Sequence, residues 1–169
     1  MILNKVYFSN SDTPQLARDL IGKYICRRLD GKVFKYMITE VEAYHGFEDK
    51  ASHARFGKTK RNHVMFGEAG HSYVYLCYGI HWLFNIVTGG HDFPAAILLR
   101  GIDNIHGPGK VTKLLQIDKS LNGKLLHPNS DLWLEDLGFK PDYIRELPRV
   151  GIDYAEDYIY KPWRFYLDS

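Results

Sequence analysis

A chain of 169 residues is one-domain length and can bury a sizeable core unaided. Hydrophobic residues at 45%, charged residues at 25% and a formal net charge of +2 are those of an ordinary globular protein and do not by themselves demand a nucleic-acid partner. Two distant cysteines, Cys26 and Cys77, argue against a disulfide scaffold, and the absence of a signal peptide or membrane-length apolar run leads us to expect a soluble, cytoplasmic protein with no membrane association.

In chain order, Thr13-Pro14 predicts a short helix, with Thr13 as cap and Pro14 in the first turn. Leu16, Leu20 and Ile21 supply its apolar stripe and Gly22 ends it. Strands over 23–29 and 32–44 follow, joined by Asp30-Gly31, a strong hairpin signal. From Lys50 to Val64 the charges are all basic, which suits either a solvated loop or an anionic partner. Further strands are predicted over 72–77, 82–88 and 95–100, and Gly107-Pro108-Gly109 opens a helix over 108–117. Shorter strand-like pieces lie over 132–135, 145–152 and 163–167. Many strands with few helices, in no regular alternation, predict a single α+β domain over 1–169. Its expected core is a curved antiparallel sheet or open barrel, with a few flanking helices and a protruding hairpin.

Four constellations carry chemistry. At the end of the long strand, alternation places Glu40, Glu42 and Tyr44 on one face. If that face is buried, the like charges raise a carboxyl pKa, as suits a general base; on an edge strand they are solvated glutamates. The hairpin from Ser72 to Ile86 turns near Tyr78-Gly79. There Tyr78, on the opposite strand face from Tyr73 and Tyr75, is either an intercalating wedge or a ring packed under the turn. Asn85 within an apolar strand needs a partner, in the core or on a ligand. Arg100, closing an apolar strand, suits a sheet-end ion pair or a role in holding Glu42 ionised and orienting water. Gly107-Pro108-Gly109-Lys110 fails the ATP-binding loop pattern but can start a helix or hold a DNA phosphate. The eight histidines lack metal-ligand spacing, so no metal is expected.

Taken together, these segments resemble the alkyladenine (3-methyladenine) DNA glycosylase family. The resemblance rests on Glu40-Val-Glu42-Ala-Tyr44 through Ser52-His53, then Arg61-Asn62-x2-Met65-Phe66 and Tyr73-Val-Tyr75-x2-Tyr78-Gly79. It continues through Asn85-Ile86, Leu98-Leu99-Arg100, Gly107-Pro108-Gly109-Lys110, Arg149-Val150-Gly151 and Lys161-Pro162-x-Arg164-Phe165-Tyr166. It implies an enzyme that flips damaged purines out of double-stranded DNA and hydrolyses the base–sugar bond, as a monomer by default and with no cofactor. Glu42 is implied as the base that activates water, with Arg100 and the Val150 carbonyl placing that water. Tyr44, His53 and Tyr75 are implied as walls of the base pocket, Asn85 as the residue that disfavours guanine, and Tyr78 as the wedge. Lys58, Thr59, Arg61, Lys110 and Lys119 are implied near the DNA backbone. Two departures stand out. The segment between Arg100 and the Gly-Pro-x-Lys turn is shorter than the family's, and the loop after His53 is one residue shorter.

Overall fold

In the computed structural model, which describes residues 1–168, the chain begins with two short helices, α1 (Lys5–Phe8) and α2 (Thr13–Leu20). The start of α2 matches the expectation, but its cap is Asp12, whose carboxylate accepts from the Gln15 amide at 3.1 Å. Asp caps a helix as well as Thr does, which frees Thr13 to turn inward and meet Thr88 at 3.1 Å. A buried hydroxyl needs that partner.

β1 (Tyr24–Leu29) and β2 (Lys32–His45) form the expected hairpin, with both Asp30 and Gly31 at positive φ. That is the conformation two-residue hairpin turns require. β3 (Ser72–Cys77) and β4 (His81–Val87) form a second hairpin, and β5 (Ala95–Ile102) pairs with β4. An unforeseen short strand, β6 (Ile105–His106), doubles back on the end of β5. α3 (Pro108–Leu115) starts where expected and stops two residues early, at Gln116 in the left-handed region. β7 (Leu132–Glu135), β8 (Arg145–Leu147) and β9 (Arg164–Tyr166) complete the order. The strand expected over 145–152 ends at Leu147, and the residues after it form a loop.

All pairings are antiparallel, along the path β3-β4-β5-β2-β1-β7, with β9 added to β2 and β8 to β9. The sheet does not close into a barrel. β2 changes partners half-way: Lys32–Met37 pair with β1, whereas Ile38–His45 pair with β5 and Glu40–Glu42 also with β9. Register shifts on either side of Glu40 mark the irregularity, which bends the strand. The second half of β2 is therefore internal, so the reading of Glu40 and Glu42 as solvated edge-strand glutamates is excluded.

α2 and α3 pack on the sheet and share one main core, in which Leu16, Leu20, Phe84, Ile97, Leu99 and Leu115 are buried. Each such side chain contributes roughly 1.5–3 kcal/mol by leaving water. A second, smaller cluster of Ala54, Met65, Phe66, Tyr73, Val87 and Ala96 has Tyr44 and Tyr75 packed against it. Among the described residues no helix is long and apolar enough to cross a membrane.

Candidate active site

Glu42 lies where β2 runs between β5 and β9, and its side chain is 0% exposed. Tyr44 Oη donates to its Oε1 at 2.8 Å and the Val150 amide to its Oε2 at 2.6 Å. Arg100 Nε stands 3.8 Å from Oε2. Burial pushes the Glu42 carboxyl above the ordinary carboxylate range, while Arg100, the Val150 amide, Tyr44 and Arg149 pull it back down. The expected like-charge tuning by Glu40 gives way to burial as the cause. Glu40 is matched by its own cations, Arg100 Nε at 3.3 Å and Arg164 at 3.1 Å. Arg100 thus takes the sheet-end ion pair, on Glu40, and also stands beside Glu42.

A cleft of about 680 Å³ opens beside Glu42. Arg100 and Val150 line it, as do the rings of Tyr44, His53 and Tyr75. Arg61, Tyr78 and Lys110 also border it. A smaller cavity of about 40 Å³ shares Tyr44, His53 and Tyr75 with the cleft and adds Asn85. The Asn85 amide donates to the Tyr73 carbonyl at 3.2 Å, so this residue has its strand partner and still faces a cavity. The His53 and Tyr75 rings meet edge to face with centroids 4.7 Å apart. Desolvation, then Arg61 and Arg55, lower the His53 pKa, which favours the neutral ring at pH 7.

Tyr78 is 92% exposed at the hairpin tip, so it is not packed under the turn. Its φ of 52° and that of Gly79, 66°, form the turn closed by the Ile80 amide on the Cys77 carbonyl at 3.1 Å. The left-handed backbone there ends strand alternation. Tyr78 therefore borders the same cleft as Tyr75 instead of facing away from it.

The other proposed backbone contacts lie outside the cleft. Lys58 Nζ rests 5.9 Å from the Phe66 ring centroid. Thr59 exchanges hydrogen bonds with Asn62, at 2.7 and 3.2 Å, and lines a neighbouring cavity of about 260 Å³. Lys119 starts an exposed 3₁₀ turn. The eight histidines do not gather: among the described residues no group of three His, Cys, Asp or Glu side chains is arranged to hold a metal ion.

The comparisons with known proteins bear on this arrangement. A family model described as methylpurine-DNA glycosylase matches residues 7–107 and 103–169. The chain belongs to the methylpurine-DNA glycosylase family. Relatives provisionally named 3-methyladenine DNA glycosylase include one from an Anaeromyxobacter strain, 43% identical over 96% of this chain and 87% of the relative. Another, from Methanocella arvoryzae, is 39% identical over 94% of this chain and 89% of the relative. A third, from Clostridium botulinum, is 35% identical over 99% and 96%. As a member of this family, the chain is a DNA glycosylase, a hydrolase of N-glycosyl bonds acting in base excision repair.

In this methylpurine-DNA glycosylase, the short segment after Arg100 becomes the β5–β6 turn, and Lys110 still reaches the cleft. Gly109 is where α3 meets β4: an added Cβ would stand 2.9 Å from the His81 ring. Sequence reasoning missed three residues here. Tyr154 borders both the cleft and the small cavity, its hydroxyl donating to the Ala51 carbonyl at 2.9 Å. Asp49 and Arg149 form a buried, two-pronged ion pair at 2.6 and 2.9 Å. Both belong to motifs quoted for the resemblance, but 100 residues of sequence separate them and nothing local links them.

Proposed function

We propose that this glycosylase is monofunctional and acts on alkylated or deaminated purines, the class of 3-methyladenine, 7-methylguanine, hypoxanthine and ethenoadenine. It flips the damaged nucleotide out of double-stranded DNA and hydrolyses the N-glycosidic bond with a water activated by Glu42. The observation that carries the reading is a fully buried carboxylate bordering a cleft walled by aromatic rings, with an exposed tyrosine on the same cleft.

Base–sugar cleavage passes through an oxocarbenium-like sugar, which a nearby carboxylate stabilises and water traps. Glu42 takes the water's proton, and Arg100 and the Val150 carbonyl place that water. Tyr44, His53 and Tyr75 receive the base, and Asn85 crowds the amino group of guanine. The cavity they share measures about 40 Å³, and Tyr44, His53 and Tyr75 also wall the cleft of about 680 Å³ beside it. Flipping costs a few kcal/mol, least for a damaged base. Tyr78 offsets part of it by entering the vacated stack. Lys58, Thr59, Arg61, Lys110 and Lys119 bind the DNA backbone, with no cofactor and one copy of the chain per site.

Single-turnover base release from duplexes carrying hypoxanthine, ethenoadenine or 7-methylguanine tests this reading. Wild type releases at least one of these bases, and Glu42→Gln lowers its release by 10²-fold or more while DNA binding is kept. A Glu42→Gln enzyme with wild-type release on every duplex sinks the role of Glu42.

A further inference from the structure

Val150 brings its amide to Glu42 from a loop that no strand supports, since β8 ends at Leu147 and β9 begins at Arg164. The preceding residue holds that loop down. The Arg149 guanidinium has no exposed side-chain surface and meets Asp49 at 2.6 and 2.9 Å. It also donates to the Ala43 carbonyl at 2.9 Å, between Glu42 and Tyr44 in the sequence. The rings of Tyr44 and Trp163 flank it at 4.9 and 5.0 Å. Asp49 is fixed in turn, because its oxygens accept from the amides of His45 at 2.9 Å and Ala51 at 3.0 Å. One ion pair thus ties together the end of β2, the loop leading to His53 and the loop carrying Val150.

We propose that Asp49 and Arg149 are positioning residues for the reaction: together they hold the Val150 amide and Tyr44 against Glu42. The proposal rests on the reading of Glu42 as the group that activates water. Arginine suits the task because its planar fork bonds both oxygens of one carboxylate while its faces stack on rings, which an ammonium group cannot do.

The groups facing Glu42 are Tyr44 from β2, Tyr75 from β3, Arg100 from β5, and Arg149, the Val150 amide and Tyr154 from the segment after β8. On β9, Arg164 is engaged one step away, on Glu40. Removing Arg149 deletes one attraction and loosens the amide, so Glu42 keeps its proton to higher pH. The acidic limb of the rate profile then moves upward, and alkaline conditions recover the rate.

The experiment follows single-turnover release of 7-methylguanine against pH. This base is already cationic, so the acidic limb reports the enzyme's carboxylate and not protonation of the leaving group. Arg149→Met should raise the limb by about one pH unit, as expected for loss of a nearby opposite charge. Arg149→Lys, which keeps the charge and loses the fork, should fall between this variant and wild type. Because Arg149→Met strands Asp49 as a lone buried charge, Asp49→Asn/Arg149→Met is measured beside it, with the melting temperature of each. A folded double variant with a raised limb supports the positioning role. Wild-type limbs with melting temperature alone reduced overturn it, leaving the pair a purely structural clamp. Persistent release by Glu42→Gln would instead overturn the reading of Glu42 itself, and this inference with it.

Discussion

Arg149 and Arg100 both neutralise carboxylates beside the cleft, yet one is sealed and the other is left slack. Arg149 has a complete carboxylate to itself, has two rings packed against it and exposes no side-chain surface. Arg100 is shared between Glu40 at 3.3 Å and Glu42 at 3.8 Å, and 15% of its side chain remains accessible. A sealed pair fixes geometry, and the one Arg149 donor without a partner, Nε, is itself buried. A slack one keeps unused donors at the cleft wall. The contrast is between an arginine enclosed in the fold and one that reaches the cleft, although both are arginines on acids.

The largest effect that would break this contrast is on stability. Asp49→Ala strands the Arg149 charge in the interior and should cost about 3–5 kcal/mol in denaturant unfolding, whereas Arg100→Ala should cost less, because Arg164 still matches Glu40 and Glu42 can take up a proton. Equal losses would erase the distinction. A smaller effect concerns Glu42 itself. Its pKa is raised on folding, chiefly by burial, so ionising it in the native state opposes folding. Stability is fullest below the ordinary value of 4.5 and declines as pH rises through the raised native value. Glu42→Gln should therefore melt above wild type at pH 7, and the advantage should fade as pH falls towards 4.5. A variant that melts lower at pH 7 would mean that Arg100, Tyr44 and the Val150 amide outweigh burial. The smallest effect lies on the exposed side of the cleft. Lys110→Ala should lower the salt slope of DNA binding by about 0.9, and an unchanged slope would assign Lys110 to solvent. Lys119→Ala, which removes a lysine outside the cleft, shows whether the DNA footprint extends that far.

Features set by a few adjacent residues were legible in the sequence. Asp30-Gly31 fixes its turn because both residues accept positive φ, Gly79 does the same at the second hairpin tip, and Pro108 after Gly107 starts α3. The order of motifs likewise pointed to the family and to the residues now found around one cleft. Alternation correctly put the ring of Tyr44 within reach of Glu42, two residues earlier. What stayed hidden depends on remote pairing. The burial of Glu42 needs β9 laid along β2, and a three-residue strand after a long irregular loop carries too little pattern to announce itself. The bond between Asp49 and Arg149 is invisible for the same reason. Tyr154 reads as one more aromatic in a chain with 12 tyrosines until the fold turns it to the cleft. The cap on α2 was misassigned because Asp12 and Thr13 suit that position equally well, and only burial decides which one turns inward.

The partner change in the middle of β2 also has a consequence for biosynthesis. The half that meets β1 can pair as soon as residue 37 has left the ribosome, because its partner precedes it across a two-residue turn. The half that carries Glu42 must wait for β5, then for Arg149 and Val150, and last for the strand at 164–166. At elongation rates of about 5–20 residues per second, Glu42 therefore spends several seconds on an unfinished sheet with neither its amide nor its flanking strand. A nascent chain halted before residue 148 has the first hairpin but lacks both the Val150 amide and the flanking strand that bury Glu42.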